Sequence, residues 1–416
     1  VDDGENETEL SMAERSRVRV GLLGAGFLAQ TRARCWRRVH GVDVQLTAVA
    51  ARDSDRLHAF VKTLSGSAGD AIEVATEWRK VVERQDIDLI DVCLPNHLHR
   101  AAVEAAAGAG KPVLCTKPLA AYVGQDLEDG ASDSDVATRD AATKAKVALA
   151  DARAMLAACD QAGVPLMYGE NWVFAPSIVR AAGLLARGRG VLLEMRGEEA
   201  HSGSHAGYAR TWRHAGGGAL LRLGSHPIGA MLHLKRLEGL RRGGTPVGVE
   251  AVTAELGDPL VAAPDDATAL AAGARDTEPW GCAVLQFTDG TRGTVFGSDL
   301  ALGGMTSQLE LRASDARLLC RLSPHDDLSA FAAAGDSFGD SYLMEKLDGQ
   351  AGWSTPLPDE DVSSGQQGLC QAVAEALSGG AALSSDGTLG LAVTEVLSAA
   401  YLSAEQGRRV GLDELR

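Results

Sequence analysis

The run Val18-Arg19-Val20-Gly21-Leu22-Leu23, followed at once by Gly24-Ala25-Gly26-Phe27-Leu28-Ala29, constrains the fold more than any other stretch. A short apolar run ending in glycine has the profile of a strand buried in a parallel sheet. The GxGxxA spacing then assigns three jobs. Gly24 permits a tight turn, Gly26 lets backbone N–H groups approach a pyrophosphate, and Ala29 keeps helix and strand close. Phe27 and Leu28 open the helix, whose N-terminus favours negative charge. The segment reads as a dinucleotide-binding turn.

Downstream, residues 27–39 read as a helix, 44–50 and 87–94 as strands, 101–109 as a helix and 112–115 as a strand. Strands alternating with helices at this spacing predict an α/β fold with a doubly wound parallel sheet, a Rossmann-type domain over residues 18–165. Residues 1–17 are polar and acidic and read as a disordered tail without a signal peptide. At about 124–146 the composition shifts to Asp, Ser, Ala and Gly, an expected acidic surface insertion, and a helix resumes over 145–162. Beyond it, apolar runs at 191–196, 248–256, 282–287, 293–298 and 308–313 recur at hairpin-like intervals. They predict a second, α+β domain over residues 166–416 with a large, mostly antiparallel sheet. Residues 257–277 and 323–361 read as loops, and 366–406 as helical.

The formal charge of −16, from 40 basic and 56 acidic residues, argues against binding nucleic acid or an anionic membrane surface. No stretch approaches the ~18 uninterrupted apolar residues of a membrane span. Seven scattered cysteines without a CxxC pair suit reduced thiols in a cytoplasmic protein, not a disulfide framework or a metal site.

Against that acidic background, five of the ten histidines lie between His201 and His233, and no Asp or Glu occurs over residues 201–237. Concentrated imidazoles and arginines suit a site that meets an anion or handles a proton. His205, Tyr208 and Arg222 in this segment are candidate substrate contacts. At the end of the second strand, Ala51 stands where an acid that bonds the adenosine ribose is expected, and Arg52 and Asp53 follow. A guanidinium there suits a 2′-phosphate, favouring NADP over NAD. The alternative is that Arg52 stacks on adenine while Asp53 takes the ribose.

Four ordered motifs then fall into place: the glycine turn, Leu94-Pro95-Asn96-His97-Leu98-His99, Cys115-Thr116-Lys117-Pro118-Leu119, and Gly216-Gly217-Gly218-Ala219-Leu220-Leu221-Arg222-Leu223-Gly224-Ser225-His226. Together they resemble the glucose-fructose oxidoreductase / inositol dehydrogenase family, over nearly the whole chain past Arg17. The CTKPL run and Glu199-Ala200-His201-Ser202-Gly203-Ser204-His205 resemble a subgroup some of whose members oxidise glycosides.

The resemblance implies a nicotinamide-dependent oxidoreductase acting on a secondary hydroxyl or ketone of a sugar, glycoside or polyol, with homodimers or homotetramers formed through the outer face of the second sheet. Lys117 matches the lysine that lies beside the nicotinamide, where it also borders the cofactor, and contacts the reacting hydroxyl; His226 matches the histidine that moves its proton. Pro95, Asn96 and His97 would border the nicotinamide ribose, and Glu170 and Asn171 could line the pocket. One departure stands out. The family's Asp four residues before the histidine is Arg222 here, and a guanidinium cannot act as a base near neutral pH. Arg222 could instead bind an anionic group of the substrate. Two rivals remain: a glycoside-cleaving enzyme that oxidises transiently, and a non-catalytic dinucleotide sensor or partner subunit.

Overall fold

The computed structural model describes residues 17–64, 72–204, 207–263, 269–270, 275–323, 328–339, 341, 343 and 351–415. Residues 1–16 of the expected tail lie outside them.

The amino-terminal half runs β1 (Val18–Leu23), α1 (Phe27–Arg37), β2 (Val44–Ala50), α2 (Ser54–Leu64), β3 (Glu73–Ala75), α3 (Trp78–Val82), β4 (Leu89–Val92), α4 (His99–Gly108), β5 (Val113–Thr116), α5 (Asp133–Ala137), α6 (Ala141–Ala162) and β6 (Leu166–Gly169). Its six strands are all parallel, in the order β3-β2-β1-β4-β5-β6. Val20, Leu22 and Leu23 are wholly buried, because helices cover both faces. Each such side chain contributes roughly 1.5–3 kcal/mol of transfer free energy. The strand order reverses between β1 and β4, and ligands of such sheets bind beyond the carboxyl ends at that point. The sheet continues through β6, past the boundary expected at residue 165.

The second half adds α7 (Pro176–Arg187), β7 (Leu192–Ala200), α8 (Trp212–Ala215), α9 (Ala219–Arg222), α10 (Ser225–Gly243), β8 (Val249–Gly257), β9 (Trp280–Phe287), β10 (Arg292–Ser298), β11 (Thr306–Ala313) and β12 (Arg317–Ser323). It closes with β13 (Ala330–Ala332), β14 (Gly352–Ser354), α11 (Glu360–Ser363), α12 (Gln366–Leu377), α13 (Gly387–Gln406) and β15 (Val410–Gly411). Seven strands form a sheet ordered β12-β11-β7-β10-β9-β8-β15, in which only the β7–β10 pair is parallel. The expected antiparallel sheet is thus present, enlarged by β12 and β15. Short β13 and β14 pair within the stretch expected to be loop.

Two packings join the halves. α12 returns to the first sheet, burying Leu369, Cys370 and Val373 in the same core as Ala29, Ala33 and Trp36 of α1. α13 packs against α6 and β8. It has the length and apolar composition of a membrane span, but it is largely buried inside the protein, as a core helix would be. The acidic insertion is partly helical: α5 starts with a capping box between Ser132 and Asp135, and α6 begins at Ala141, earlier than expected.

Candidate active site

The glycine turn has the backbone its motif requires. Gly24 lies at φ 124°, a region L-residues avoid, and an added Cβ would overlap the carbonyl of Cys93 at the end of β4. Its N–H donates to the Ala50 carbonyl at 2.7 Å, so β1 and β2 end together. Gly26 caps α1 with no side-chain hydrogen bond, and the first turn carries no acid. The free N–H groups there and the helix dipole fit a pyrophosphate. A Cβ at Gly26 would meet nothing closer than the Arg56 guanidinium at 4.0 Å. Ala29 is buried at the helix–strand contact, while Phe27 is 55% exposed at the open end.

Arg52 and Arg56 are both exposed, and the Arg56 guanidinium lies nearest to Gly26. Asp53 has a local role, since its Oδ1 accepts from the Arg56 N–H at 3.0 Å and holds the start of α2. Pro95 precedes a short 3₁₀ turn at Asn96–Leu98, and the Asn96 amide donates to the Ala215 carbonyl at 2.6 Å. That bond ties the first crevice to the segment before the triple glycine. Partial burial lowers the His97 imidazole, and Arg52 and His214 add to the effect.

Lys117 sits just beyond β5, and its Nζ donates to the carbonyl of Arg222 at the end of α9. His226, in the first turn of α10, is 6% exposed. Its Nδ1 lies 2.7 Å from Oε1 of Glu170, its Nε2 3.8 Å from Oε2 of Glu199, and its ring stacks on Trp172 with centroids 5.9 Å apart. Burial raises the Glu170 carboxyl and depresses the His226 imidazole. Glu170 is held in turn by the Trp172 N–H at 3.1 Å. Lys117, His226, Glu199, Asn171 and Trp172 wall one cavity of about 120 Å³, together with Phe27 and Leu28 of the glycine turn. Asn171 donates its amide to the Ser364 carbonyl at 2.7 Å, which fixes the far wall.

The triple glycine positions His226 through Glu278. That carboxylate accepts from the N–H groups of Gly218 and Leu220 at 3.0 and 3.1 Å and from the Tyr401 hydroxyl at 2.7 Å. A Cβ on Gly218 would overlap the Glu278 side chain, so the approach needs glycine.

Three substrate candidates fare differently. Arg222 does not offer itself to an anion in the cavity: its guanidinium pairs with Asp299, a buried carboxylate just after β10. The same holds along the acid-free segment. Arg213 pairs with Asp133, Lys235 with Glu238 and Asp289, and Arg236 with Asp386, so three more of its cations are neutralised by acids outside it. Tyr208 is 61% exposed and is not among the residues walling the cavity. His205 lies outside the described residues.

Sequence reasoning missed Glu199, Trp172 and Asp299. Glu199 heads the run 199–205 that carries the resemblance and Trp172 follows Asn171, so both could have been flagged. Asp299 carries no local signal, for it meets Arg222 only through the fold.

A parallel sheet with this strand order and a glycine turn opening on a lysine–histidine cavity defines a dinucleotide-binding oxidoreductase fold. Residues 18–137 match the oxidoreductase family with an NAD-binding Rossmann fold, and residues 180–319 match the GFO/IDH/MocA C-terminal domain. The chain belongs to the GFO/IDH/MocA family. D-apiose dehydrogenase of Paraburkholderia graminis is 32% identical over 165 residues, 39% of this chain and 34% of that protein. Inositol 2-dehydrogenase 4 of Saccharopolyspora erythraea is 36% identical over 103 residues, 24% of this chain and 28% of that protein. The matches thus span about a third of the curated relatives' length. Among solved structures, GenD2 from gentamicin A biosynthesis, in complex with NAD, superposes with a TM-score of 0.73 at 26% identity, covering 95% of this chain and 96% of that one. Levoglucosan dehydrogenase in complex with NADH and levoglucosan gives 0.65 at 19% identity, over 95% of this chain and all of the other, a likeness of fold.

Proposed function

We propose that the protein is a nicotinamide-dependent dehydrogenase or reductase acting on a secondary hydroxyl, or the corresponding ketone, of a sugar or polyol. The observation that carries this reading is the convergence of Lys117 and His226 in one cavity beside the glycine turn. The nicotinamide, when bound, supplies the hydride acceptor or donor. The chain's own groups do the rest. The Gly24–Ala29 turn holds the phosphates, and Asn96 and His97 border the neighbouring crevice. Lys117 contacts the reacting oxygen and stabilises negative charge developing on it. Nε2 of His226 takes the hydroxyl proton in oxidation and returns it in reduction. Glu170 on Nδ1 fixes the ring and its tautomer and shares the charge that forms.

The carboxylate that Arg222 seemed to remove is therefore supplied from elsewhere in the fold, by Glu170 at the end of β6. That favours a catalyst over a cofactor-binding sensor. Relatives named as D-apiose, inositol and levoglucosan dehydrogenases support the carbohydrate class. Ala51 in place of an acid, with Arg52 and Arg56 exposed and Arg56 near Gly26, supports NADP over NAD.

The test is turnover of a sugar and polyol panel with each cofactor, followed by absorbance of reduced nicotinamide. Oxidation of at least one member, lost in Lys117→Ala, is the expected result. Cofactor binding without turnover of any member, in either direction, would overturn the reading.

A further inference from the structure

Arg32 is a buried cation with no part in the site as described. It projects from α1 and is wholly withdrawn from solvent. Its guanidinium lies against the ends of β5 and β6: a Cβ added to Gly169 would come 2.7 Å from Nη2 and 3.1 Å from both the Cys115 carbonyl oxygen and Cα of Thr116. Nη1 lies 3.8 Å from Sγ of Cys370 on α12, a weak acceptor, and among the described residues Nε and Nη2 have no hydrogen-bond partner. A guanidinium keeps its proton at any working pH, so burial cannot neutralise it and nearby carboxylates must offset its charge. Burial pushes the Cys93 and Cys115 thiols up, so these neighbours do not supply that charge.

Two buried carboxylates of the parallel sheet stand near it. Asp91 on β4 is the stronger partner by charge, and it already accepts from the Trp36 indole at 2.8 Å and from the Cys93 thiol at 3.6 Å. Glu170 follows Gly169. Its Oε1 meets His226 and the Trp172 N–H, while Oε2 is buried with no partner among the described residues. Two cations, Lys117 and Arg32, favour its ionised form against desolvation. The other titratable groups around this carboxyl are Tyr168, whose hydroxyl burial pushes up, and Glu199 beyond His226. Arg32 is not among the residues walling the cavity, so its route to the chemistry runs through Glu170.

We propose that Arg32 is a positioning residue: its permanent charge, set against Gly169, keeps the neighbouring Glu170 in the carboxylate form that backs Nδ1 of His226. This rests on the dehydrogenase reading above and deepens it. In that reading Lys117 serves the reacting oxygen, so its charge is shared with the substrate during the reaction. Arg32 stays fixed in the fold and supports Glu170 throughout. An opposite charge within ~4–6 Å of a carboxylate favours its ionised form by about one to three pH units, enough to decide whether a desolvated acid is charged at working pH.

The experiment reads Glu170 directly and through turnover, in the full chain. Carboxyl titration is followed by 13C NMR of glutamate-labelled protein, with the Glu170 signal assigned by its loss in Glu170→Gln. Arg32→Met keeps the bulk of the side chain and removes the charge. Its Glu170 midpoint should rise from about 8 by about one unit or more. The alkaline limb of oxidative kcat should move with it, lowering the rate at neutral pH by about tenfold for each unit, while affinity for reduced cofactor changes no more than a few-fold. Arg32→Lys, which restores a cation, should return most of both shifts. Because Arg32→Met also strips Asp91 of its cation, Arg32→Met with Asp91→Asn gives a second variant in which that acid is no longer charged. The midpoint should stay raised there. In a Glu170→Gln background Arg32→Met should cost little further rate, since both act through one carboxyl. An unmoved midpoint in Arg32→Met, its return to the parent value on adding Asp91→Asn, or fully additive rate losses with Glu170→Gln would overturn the proposal, even where sugars are oxidised. A raised midpoint in a protein that turns over no sugar or polyol would leave Arg32's action on Glu170 standing and remove the dehydrogenase reading instead.

Discussion

Oε1 of Glu170 meets Nδ1 of His226 at 2.7 Å, although 56 residues separate them in the chain. Glu170 follows β6, the last strand of the parallel sheet, and His226 opens the helix that lies across the second sheet. The contact therefore joins the two halves at the point where the cavity forms. It also places a carboxylate behind the histidine in a chain whose motif lacks one.

The first prediction follows from burial of this pair. The Glu170 carboxyl is pushed up to about 8 by desolvation. Below that value Glu170 is protonated and withholds charge from Nδ1. Above it, the carboxylate stabilises a proton on Nδ1 and makes Nε2 the stronger base. In the oxidative direction kcat should rise as pH passes through about 8, and in the reductive direction it should fall. Glu170→Gln should lower kcat by roughly 10²-fold, a typical general-base loss, and flatten that limb. A pH–rate profile with its limb unchanged in Glu170→Gln would remove the assigned role.

Lys117 gives a second prediction, on chemistry without binding. Its Nζ is held by the Arg222 carbonyl at the cavity wall, and no backbone N–H of the glycine turn bonds to it. Lys117→Ala should cost about 100-fold or more in kcat while cofactor affinity changes by no more than a few-fold. Lys117→Arg tests geometry, because a planar fork does not replace a compact ammonium. Fluorescence titration of the reduced cofactor and steady-state rates separate the two effects.

The parts of this site legible in the sequence share one property: they are encoded locally. Gly24 and Gly26 are defined by a turn that must follow a strand, and Lys117 by its place at a strand end. The triple glycine announces His226 because the backbone must pass close to another chain segment, which proves to be Glu278. The partners of these residues are non-local. Nothing near Arg222 in sequence names Asp299, and an excess of positive charge over residues 201–237 was legible while its neutralisation by Asp133, Asp289 and Asp386 was not. For the same reason β6 and β12, four and seven residues long, gain their strand identity from neighbouring strands rather than from a pattern of their own.

A third prediction concerns the cofactor's adenosine end. Arg52 and Arg56 flank a position where Ala51 offers no carboxylate to a ribose. NADP(H) should bind more tightly than NAD(H). Arg52→Ala combined with Arg56→Ala should reverse that order, mainly through loss of NADP(H) affinity, and Ala51→Asp should strengthen NAD(H) and weaken NADP(H). Calorimetric titration of each variant with both cofactors measures this. An NAD(H) preference in the parent protein would show that the two arginines serve another purpose.

The last prediction separates a structural Arg222 from an anion receptor. Its guanidinium and Asp299 are both largely withdrawn from solvent, with side chains 14% and 6% exposed. Removing one partner of a buried pair leaves the other uncompensated and costs about 3–5 kcal/mol, whereas replacing both with apolar residues is often close to neutral. Asp299→Ala should therefore destabilise the protein by that amount in denaturant unfolding, and Arg222→Met with Asp299→Leu should recover most of the loss. Arg222→Asp should be worse than Arg222→Met, because it sets a second carboxylate against Asp299 and leaves both without a cation. The main-chain carbonyl that receives Lys117 belongs to the same residue, so the single variants should also lower kcat, and the apolar pair should restore part of it. An anion receptor behaves differently. If Arg222 bound a substrate carboxylate, Arg222→Met would raise KM for uronates selectively and Asp299→Leu would not correct it. The ion pair therefore predicts recovery in the double variant, in stability and in turnover together.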